Sequence, residues 1–86
     1  MTARVQWTRD ALGHALDIRE PHRGRIFRIV RLLATQPRMG HEAGGLFEGS
    51  RRFVVPRTPY AVVYMYDAST DELLIETVGI GAGLNS

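Results

Sequence analysis

The sequence predicts an α+β fold: a short N-terminal strand and an αα hairpin packed on an antiparallel β-sheet of three to four strands. Two helical segments separated by a short break occupy the first half of the chain, and such a break makes a helical hairpin. Strand-like segments joined by short turns occupy the second half, and consecutive strands with short connections pair antiparallel. The 86 residues, without repeats or linkers, correspond to one domain, residues 1–86.

The N-terminal strand and the first helix are predicted from the first 18 residues. Residues 3–7 alternate between apolar and polar types, which is typical of a strand. Thr8 is a suitable N-cap for a helix over about 8–18. Asp10 lies in the first turn of this helix, where the helix dipole favours an acid.

The second helix is predicted over 21–35 by an apolar stripe. The members of the stripe recur three and four residues apart: Ile26, Ile29, Val30 and Leu33. Pro21 suits the first turn, and Pro37 ends the helix because the residue before a proline is pushed out of the helical conformation. Arg28 and Arg31 lie on the side opposite the stripe.

Three strands are predicted after a loop punctuated by glycines. They span residues 51–55, 60–67 and 72–78. Two prolines place a turn at 56–59, residues 68–71 form a hairpin loop, and the glycine-rich tail, 79–86, is expected to be loose. Alternation along the middle strand gives two faces, Tyr60, Val62, Tyr64 and Tyr66 on one and Ala61, Val63 and Met65 on the other.

Composition excludes several classes of protein. Because the chain has no cysteine, disulfides and zinc–thiolate sites are excluded, and a reducing cytoplasm is the expected compartment. No apolar run approaches the roughly 20 residues that span a bilayer. Residues 1–7 also lack the apolar core of a signal peptide. We therefore expect a cytoplasmic protein without a membrane partner.

Charge is segregated along the chain. All eleven basic residues are Arg and lie in residues 1–57, where five acids leave a net charge of +6. Residues 58–86 hold four acids and no base. A basic body followed by an acidic final third favours an anionic partner for the first part.

No cofactor and no metal site are predicted. His14, His22 and His41 do not form an H-x-x-x-H pair or another ligand spacing. The tail pattern Gly79-x-Gly81-x-Gly83 follows a strand, but no helix follows it, so it lacks the helix N-terminus that holds a phosphate. No nucleophile–base arrangement is evident, since Ser50 and Ser69 have no supporting base in the sequence pattern.

The candidate contact residues are basic and aromatic. Arg51 and Arg52 open a strand, and Arg57 lies in the following turn. Together with Tyr60 and Tyr64 they form a candidate set for binding a target or nucleic acid, through phosphate pairing and base stacking. The alternatives are sheet packing for the tyrosines and, for the arginines of the second helix, a solvated face: Arg23, Arg25, Arg28 and Arg31.

Residues 37–64 contain three ordered segments: Pro37-Arg38-Met39-Gly40-His41, Gly49-Ser50-Arg51-Arg52-Phe53-Val54-Val55 and Pro59-Tyr60-Ala61-Val62-Val63-Tyr64. Together they resemble the signature of the RelE/ParE toxin superfamily. These are similar to the family's P-x-x-G-R step after the second helix, its G-T/S-R strand and its P-Y-x-hydrophobic-x-Y strand. The resemblance covers nearly the whole chain and implies the toxin of a type II toxin–antitoxin system, neutralised by a cognate antitoxin.

Four departures from the family pattern bear on the activity. His41 stands where the step usually has Arg. Ala61 and Thr77 stand where RelE-like nucleases carry basic residues, and Ile80 stands where many members have His. Cleavage of RNA without a metal needs cations for the phosphate and groups that move protons, so the departures argue against a nuclease.

Three functional hypotheses follow from the resemblance. The departures favour ParE-like poisoning of DNA gyrase by binding. The first alternative is a RelE-like mRNA endonuclease that acts on the ribosome, with contacts and catalysis supplied by Arg51, Arg52, Arg57 and Tyr60. The second alternative is a domain that has lost activity and only binds its antitoxin.

Overall fold

A computed structural model of the protein describes residues 2–84. Its helices and strands are β1 (Arg4–Trp7), α1 (Arg9–Asp17), α2 (His22–Thr35), β2 (His41–Glu42), β3 (Arg51–Val54), β4 (Tyr60–Asp67) and β5 (Glu72–Ile80). Short 3₁₀ turns occupy Gly45–Phe47 and Gly81–Leu84. Within this range, no helix is both long and apolar enough to cross a bilayer.

The strands form one sheet in the order β1-β5-β4-β3-β2. β3, β4 and β5 pair antiparallel, which confirms the predicted α+β architecture. The five strands exceed the three to four predicted, and the sheet is mixed, because β1 lies parallel to β5. A parallel pair needs a long connection, which residues 8–71 provide. The fifth strand is β2, two residues within the segment predicted as a loop.

Thr8 fixes the start of α1 and ties it to the sheet. Its Oγ1 accepts a hydrogen bond from the Ala11 amide at 3.0 Å, which is the predicted N-cap contact. The same hydroxyl donates to the Glu76 carbonyl at 2.8 Å, and the Thr8 amide donates to the Ile75 carbonyl at 3.0 Å. The helix therefore begins where β1 leaves β5.

The core lies between the two helices and one face of the sheet. α2 contributes Ile26, Val30 and Leu33 to it, and all three belong to the predicted stripe. α2 begins one residue later than predicted, with Pro21 as its N-cap, and it ends before Pro37 as predicted. α1 contributes the small side chains of Ala11 and Ala15, so the larger helical side chains of the core come from α2.

The predicted alternation of β4 is confirmed. Val62 and Tyr64 lie in the core, and Tyr60 and Tyr66 pack against it from the same side. A bulge interrupts the pairing of β4 with β5, because Val63 pairs with Thr77 whereas Tyr64 pairs with Ile75. Glu76 is therefore the extra residue of β5, and its carbonyl is satisfied by Thr8.

The C-terminal segment is more ordered than predicted. β5 continues to Ile80, opposite Tyr60, rather than ending at residue 78. The Gly81 amide then donates to the Pro59 carbonyl at 2.7 Å and starts the 3₁₀ turn. The prediction of a loose tail from residue 79 is thus wrong as far as residue 84, and residues 85–86 lie outside the described residues.

Candidate functional site

Arg51 contacts the loop that follows α2. Its Nη1 donates to the Gly40 carbonyl at 2.7 Å and to the Arg38 carbonyl at the longer distance of 3.4 Å. The side chain is half-buried, and the strand register places it opposite Tyr64 on the helix side of the sheet. Two carbonyls of this loop therefore engage the guanidinium that the sequence predicts as a target contact.

Tyr64 holds the same loop from inside the core. Its hydroxyl donates to the Pro37 carbonyl at 2.7 Å and accepts from the Gly40 amide at 2.9 Å. A Cβ at Gly40 would lie 2.7 Å from the Tyr64 hydroxyl oxygen and 3.0 Å from the Arg52 carbonyl, so this close approach requires glycine. Tyr64 has no exposed surface, so this predicted contact residue lies in the core and is not available to a partner.

Stability above pH 10 tests the contacts of Tyr64. Burial raises the pKa of Tyr64 above the ordinary 10.0, against the lowering effects of the Gly40 amide and the Arg51 charge. A raised folded-state pKa gives stability that is fully present below the unfolded value and is lost as pH rises through the folded value. The free energy of unfolding should therefore fall as pH rises above about 10, and Tyr64→Phe should flatten that fall in chemical denaturation.

Tyr66→Phe is the matched control for this titration. A hydrogen bond to the Asp71 carboxylate, followed by desolvation, raises the pKa of Tyr66 as well, but this contact lies at the hairpin loop. The Tyr66 variant should keep the alkaline contribution of Tyr64. An unchanged alkaline profile in the Tyr64 variant would contradict the assignment.

Tyr60 and Arg57 lie at the β3–β4 turn, away from Arg51. The half-buried Tyr60 ring packs edge-on against the His22 ring, with 5.8 Å between their centroids. Arg57 is exposed in the turn at a φ of 63°, and its carbonyl accepts from Arg25 Nη1 at 3.4 Å. The five predicted contact residues are therefore dispersed, and the structure does not gather them into one site.

The sheet has a second face, which is turned away from the helices. Register and alternation place on it Ser50, Arg52 and Val54, then Ala61, Val63 and Met65, then Leu74, Thr77 and Gly79. Arg52 is half-buried opposite Val63 and has no ion-pair partner among residues 2–84. It is the predicted contact residue that stands free on this face.

The chemistry available on the second face is limited. Ala61 pairs with Gly79 and Val63 pairs with Thr77. Ala61 and Thr77, which stand where RelE-like nucleases carry basic residues, therefore lie at the centre of this face. The bulge residue Glu76 adds a carboxylate that accepts a short hydrogen bond from the buried Ser50 hydroxyl. At the centre of this face, Arg52 is thus accompanied by the engaged carboxylate of Glu76, and Arg4 at the β1 edge is paired with Glu72. This is a poor arrangement for a polyanion.

Comparison with known families places this architecture. Residues 5–83 match the family model of the ParE toxin of type II toxin–antitoxin systems. The chain belongs to the ParE toxin family. The match begins within β1 and includes the whole of both helices and of the strands β2 to β5.

The toxin is also similar to solved structures of RelE/ParE type. A chain of the Mycobacterium tuberculosis RelBE2 toxin–antitoxin complex is 17% identical, with 93% of the toxin and 99% of that chain covered and a TM-score of 0.78. A chain of the intact Escherichia coli RelBE complex is 13% identical, with 92% of the toxin and 96% of that chain covered and a TM-score of 0.78. A chain of the chromosomal ParDE system of Pseudomonas aeruginosa is 18% identical, with 92% of the toxin and 96% of that chain covered and a TM-score of 0.67.

The solved structures establish the fold of the toxin, and the family-model match establishes its family. At identities of 13–18% they carry no information on the cellular target, and they include both RelE and ParE systems. No curated protein matches the sequence significantly. The target must therefore be argued from the toxin's own residues.

Two surfaces of the toxin lie largely outside the set of predicted contact residues. The first is a cavity of about 230 Å³ between α2 and the β3–β4 turn, lined by Arg25, Arg28, Ile29, Val55, Pro56 and Arg57. From the sequence, a solvated face is the alternative interpretation of Arg25 and Arg28. Their spacing of three residues indicates that they lie on one side of α2, but no local pattern indicates that Arg57 lies beside them.

The second surface is an apolar strip on α1. Leu12 and Leu16 are four residues apart on this helix and are 39% and 54% exposed. Ile80, at the end of β5, is 50% exposed and lines a surface cavity with His14 and Asp17 of α1. Large apolar side chains that recur on one stripe of a helix indicate a surface that a partner covers.

Proposed function

We propose that the chain poisons its host by binding a protein target, with DNA gyrase as that target, and that a cognate antitoxin neutralises it. The single observation that carries the proposal is the composition of the second face. At its centre lie Ala61 and Thr77, which stand where the family resemblance places basic residues of RelE-like nucleases. A toxin that acts by binding needs no such set.

The size of the missing contribution supports this choice. Removing one preorganised electrostatic donor from an active site lowers a rate by on the order of 10²–10³. The sequence departs from the nuclease pattern at Ala61 and Thr77, and a third departure, Ile80, removes a proton-handling group. Arg51 does not compensate, since its guanidinium is engaged by loop carbonyls on the helix side.

A RelE-like mRNA endonuclease is the second candidate function. Arg52 favours it, because this side chain lies on the second face without a carboxylate partner in residues 2–84. Arg57 and Tyr60 would have to supply further phosphate contacts and base stacking from the β3–β4 turn. Tyr60 packs on His22 on the helix side, so the arrangement supports this function less than it supports binding.

The proposed antitoxin covers the apolar strip of α1. The exposed Leu12 and Leu16 offer apolar area that an amphipathic helix or an extended segment of the antitoxin buries. A domain of this length buries only about 60–65% of the surface that its unfolded chain exposes, so added apolar contact stabilises it appreciably. Either proposed target places the toxin in the cytoplasm.

Induction of the chain in a bacterial host tests the proposed function. Filamentation with a DNA-damage response, together with gyrase inhibition by the purified chain, is the expected result. The Arg52→Ala variant should retain this toxicity within about two-fold, because truncating one half-buried side chain outside a binding hot spot has a small effect. Growth curves at matched expression, checked by immunoblot, measure the difference.

Two outcomes would overturn gyrase poisoning. Immediate arrest of translation with cut messages, abolished by Arg52→Ala, would establish the nuclease instead. Unimpaired growth at confirmed expression would leave a domain that only binds its antitoxin. Arg31→Ala, on the exposed side of α2, is the control for loss of an arginine as such.

A further inference from the structure

The cavity between α2 and the β3–β4 turn gathers three arginines that are distant in sequence. Arg25 and Arg28 approach it from α2, and Arg57 approaches it from the turn. A weak hydrogen bond of 3.4 Å from Arg25 Nη1 to the Arg57 carbonyl joins the two sides. Because that contact uses a backbone carbonyl, it does not neutralise either guanidinium.

The positive charge of this cavity is uncompensated within the described residues. The ion pairs there are Arg4 with Glu72 and Arg23 with Glu20, and neither involves a residue of the cavity. The acids of the chain's final third do not line it either. Three like charges around one small cavity repel one another, and an anionic group between them removes that repulsion.

The rest of the cavity is apolar. Val55 is fully buried at its base, Ile29 is half-buried, and Pro56 closes the turn side. Leu32 lies on α2 one turn beyond Arg28 and is 40% exposed. A ligand that fits both features carries an anionic group next to an apolar one.

We infer that this cavity binds a carboxylate side chain of a partner protein, with an apolar side chain of the same segment resting on Leu32. The planar guanidinium forks of Arg suit the two oxygens of a carboxylate. One turn of α2 separates Arg28 from Leu32 by about 6 Å, which matches Glu and Leu four residues apart on a helix. The inference rests on the proposed function, under which the antitoxin is that partner.

Nucleic acid fits the cavity less well than an acidic protein segment. A phosphate backbone is tracked by cations spaced along it, with stacking surfaces for the bases. Here the next arginine of α2, Arg31, does not line the cavity, and the surface beside the cations is aliphatic. We therefore treat oligonucleotide binding as a competing outcome of the test.

The test uses the full purified chain, labelled with ¹⁵N, and three probes. The first probe is a capped alanine-based helical peptide that carries one Glu with a Leu four residues before it and another four residues after it. The second is the same peptide with Gln in place of Glu, and the third is a thymidylate decamer. Backbone amide shifts of Arg28, Ile29 and Val55 report occupancy.

We expect the Glu peptide to bind about ten-fold more tightly than the Gln peptide, because charge-assisted hydrogen bonds are the stronger ones. Arg28→Ala should weaken the Glu peptide by about ten-fold and leave the Gln peptide unchanged. Arg31→Ala, on the same helix but outside the cavity, should change neither affinity by more than about two-fold. Both positions are exposed and helical, so both variants should fold.

Three outcomes would overturn the inference: equal affinities of the two peptides, no shift at the three amides, or tighter binding of the decamer at them. These readouts do not depend on toxicity. A chain that binds the Glu peptide but leaves growth unimpaired would contradict the proposed function and retain the carboxylate cavity. A toxic chain that binds neither peptide would contradict the cavity alone.

Discussion

Replacing Gly40 with Ala should destabilise the fold by about 3 kcal/mol, because the new methyl group would overlap the core. An added Cβ would lie 2.7 Å from the Tyr64 hydroxyl oxygen and 3.0 Å from the Arg52 carbonyl. Relief requires the 36–40 loop to move outward, and that movement separates the Tyr64 hydroxyl from the Gly40 amide and the Pro37 carbonyl. Buried polar groups left without partners add about 1–3 kcal/mol each.

Chemical denaturation measures this effect, and Gly13→Ala provides the matched control. Gly13 lies in α1 with no atom within 4 Å of the position of an added Cβ. At that helical position Ala should stabilise the fold by up to about 1 kcal/mol. The two glycine-to-alanine changes should therefore have opposite signs. A loss below about 0.5 kcal/mol for Gly40→Ala would contradict the close contact with Tyr64.

Replacing Ile26 with Ala should lower the free energy of unfolding by about 3–4 kcal/mol. Ile26 is fully buried and belongs to the core cluster between the helices and the sheet. Its truncation removes apolar contacts and leaves a cavity that the packed surroundings fill only in part. A domain of 86 residues has a total stability of roughly 4–13 kcal/mol, so the loss is a large fraction of the whole.

The control for Ile26 lies on the same helix. Leu32 is 40% exposed, and Leu32→Ala should cost less than about 1.5 kcal/mol because part of its surface is already in water. Thermal and urea denaturation of the two variants should separate them clearly. Equal losses would mean that the packed face of α2 differs from the stripe that contains Ile26.

The local part of the fold is predictable from the sequence, and the long-range part is not. Thr8 caps α1 and Pro37 follows the end of α2 as predicted, because capping and proline geometry act within a few residues. The parallel pairing of Arg4 with Glu72 joins residues that are distant along the chain, and no local pattern encodes it. Glu76 forms a bulge for the same kind of reason, since its carbonyl meets Thr8.

The candidate site follows the same division. Alternation predicts correctly that Tyr64 shares a face with Val62, but it does not indicate that the hydroxyl lies under the 36–40 loop. The sequence likewise shows that Arg51 is basic without showing that loop carbonyls engage it. The convergence of Arg57 with the α2 arginines depends on how the helix crosses the β3–β4 turn, which is a property of tertiary packing.

The parallel pairing of β1 with β5 also sets when this toxin becomes folded during its synthesis. β1 is made first, yet its only strand partner in the described sheet begins at Glu72. Until β5 has left the ribosome, β1 has no hydrogen-bonding neighbour and the core lacks Leu73, Ile75 and Val78. A fragment that stops before β5 therefore cannot close the sheet, and contacts of such large sequence separation form slowly. The first strand of the described fold thus waits for the last one before its backbone is paired within the sheet.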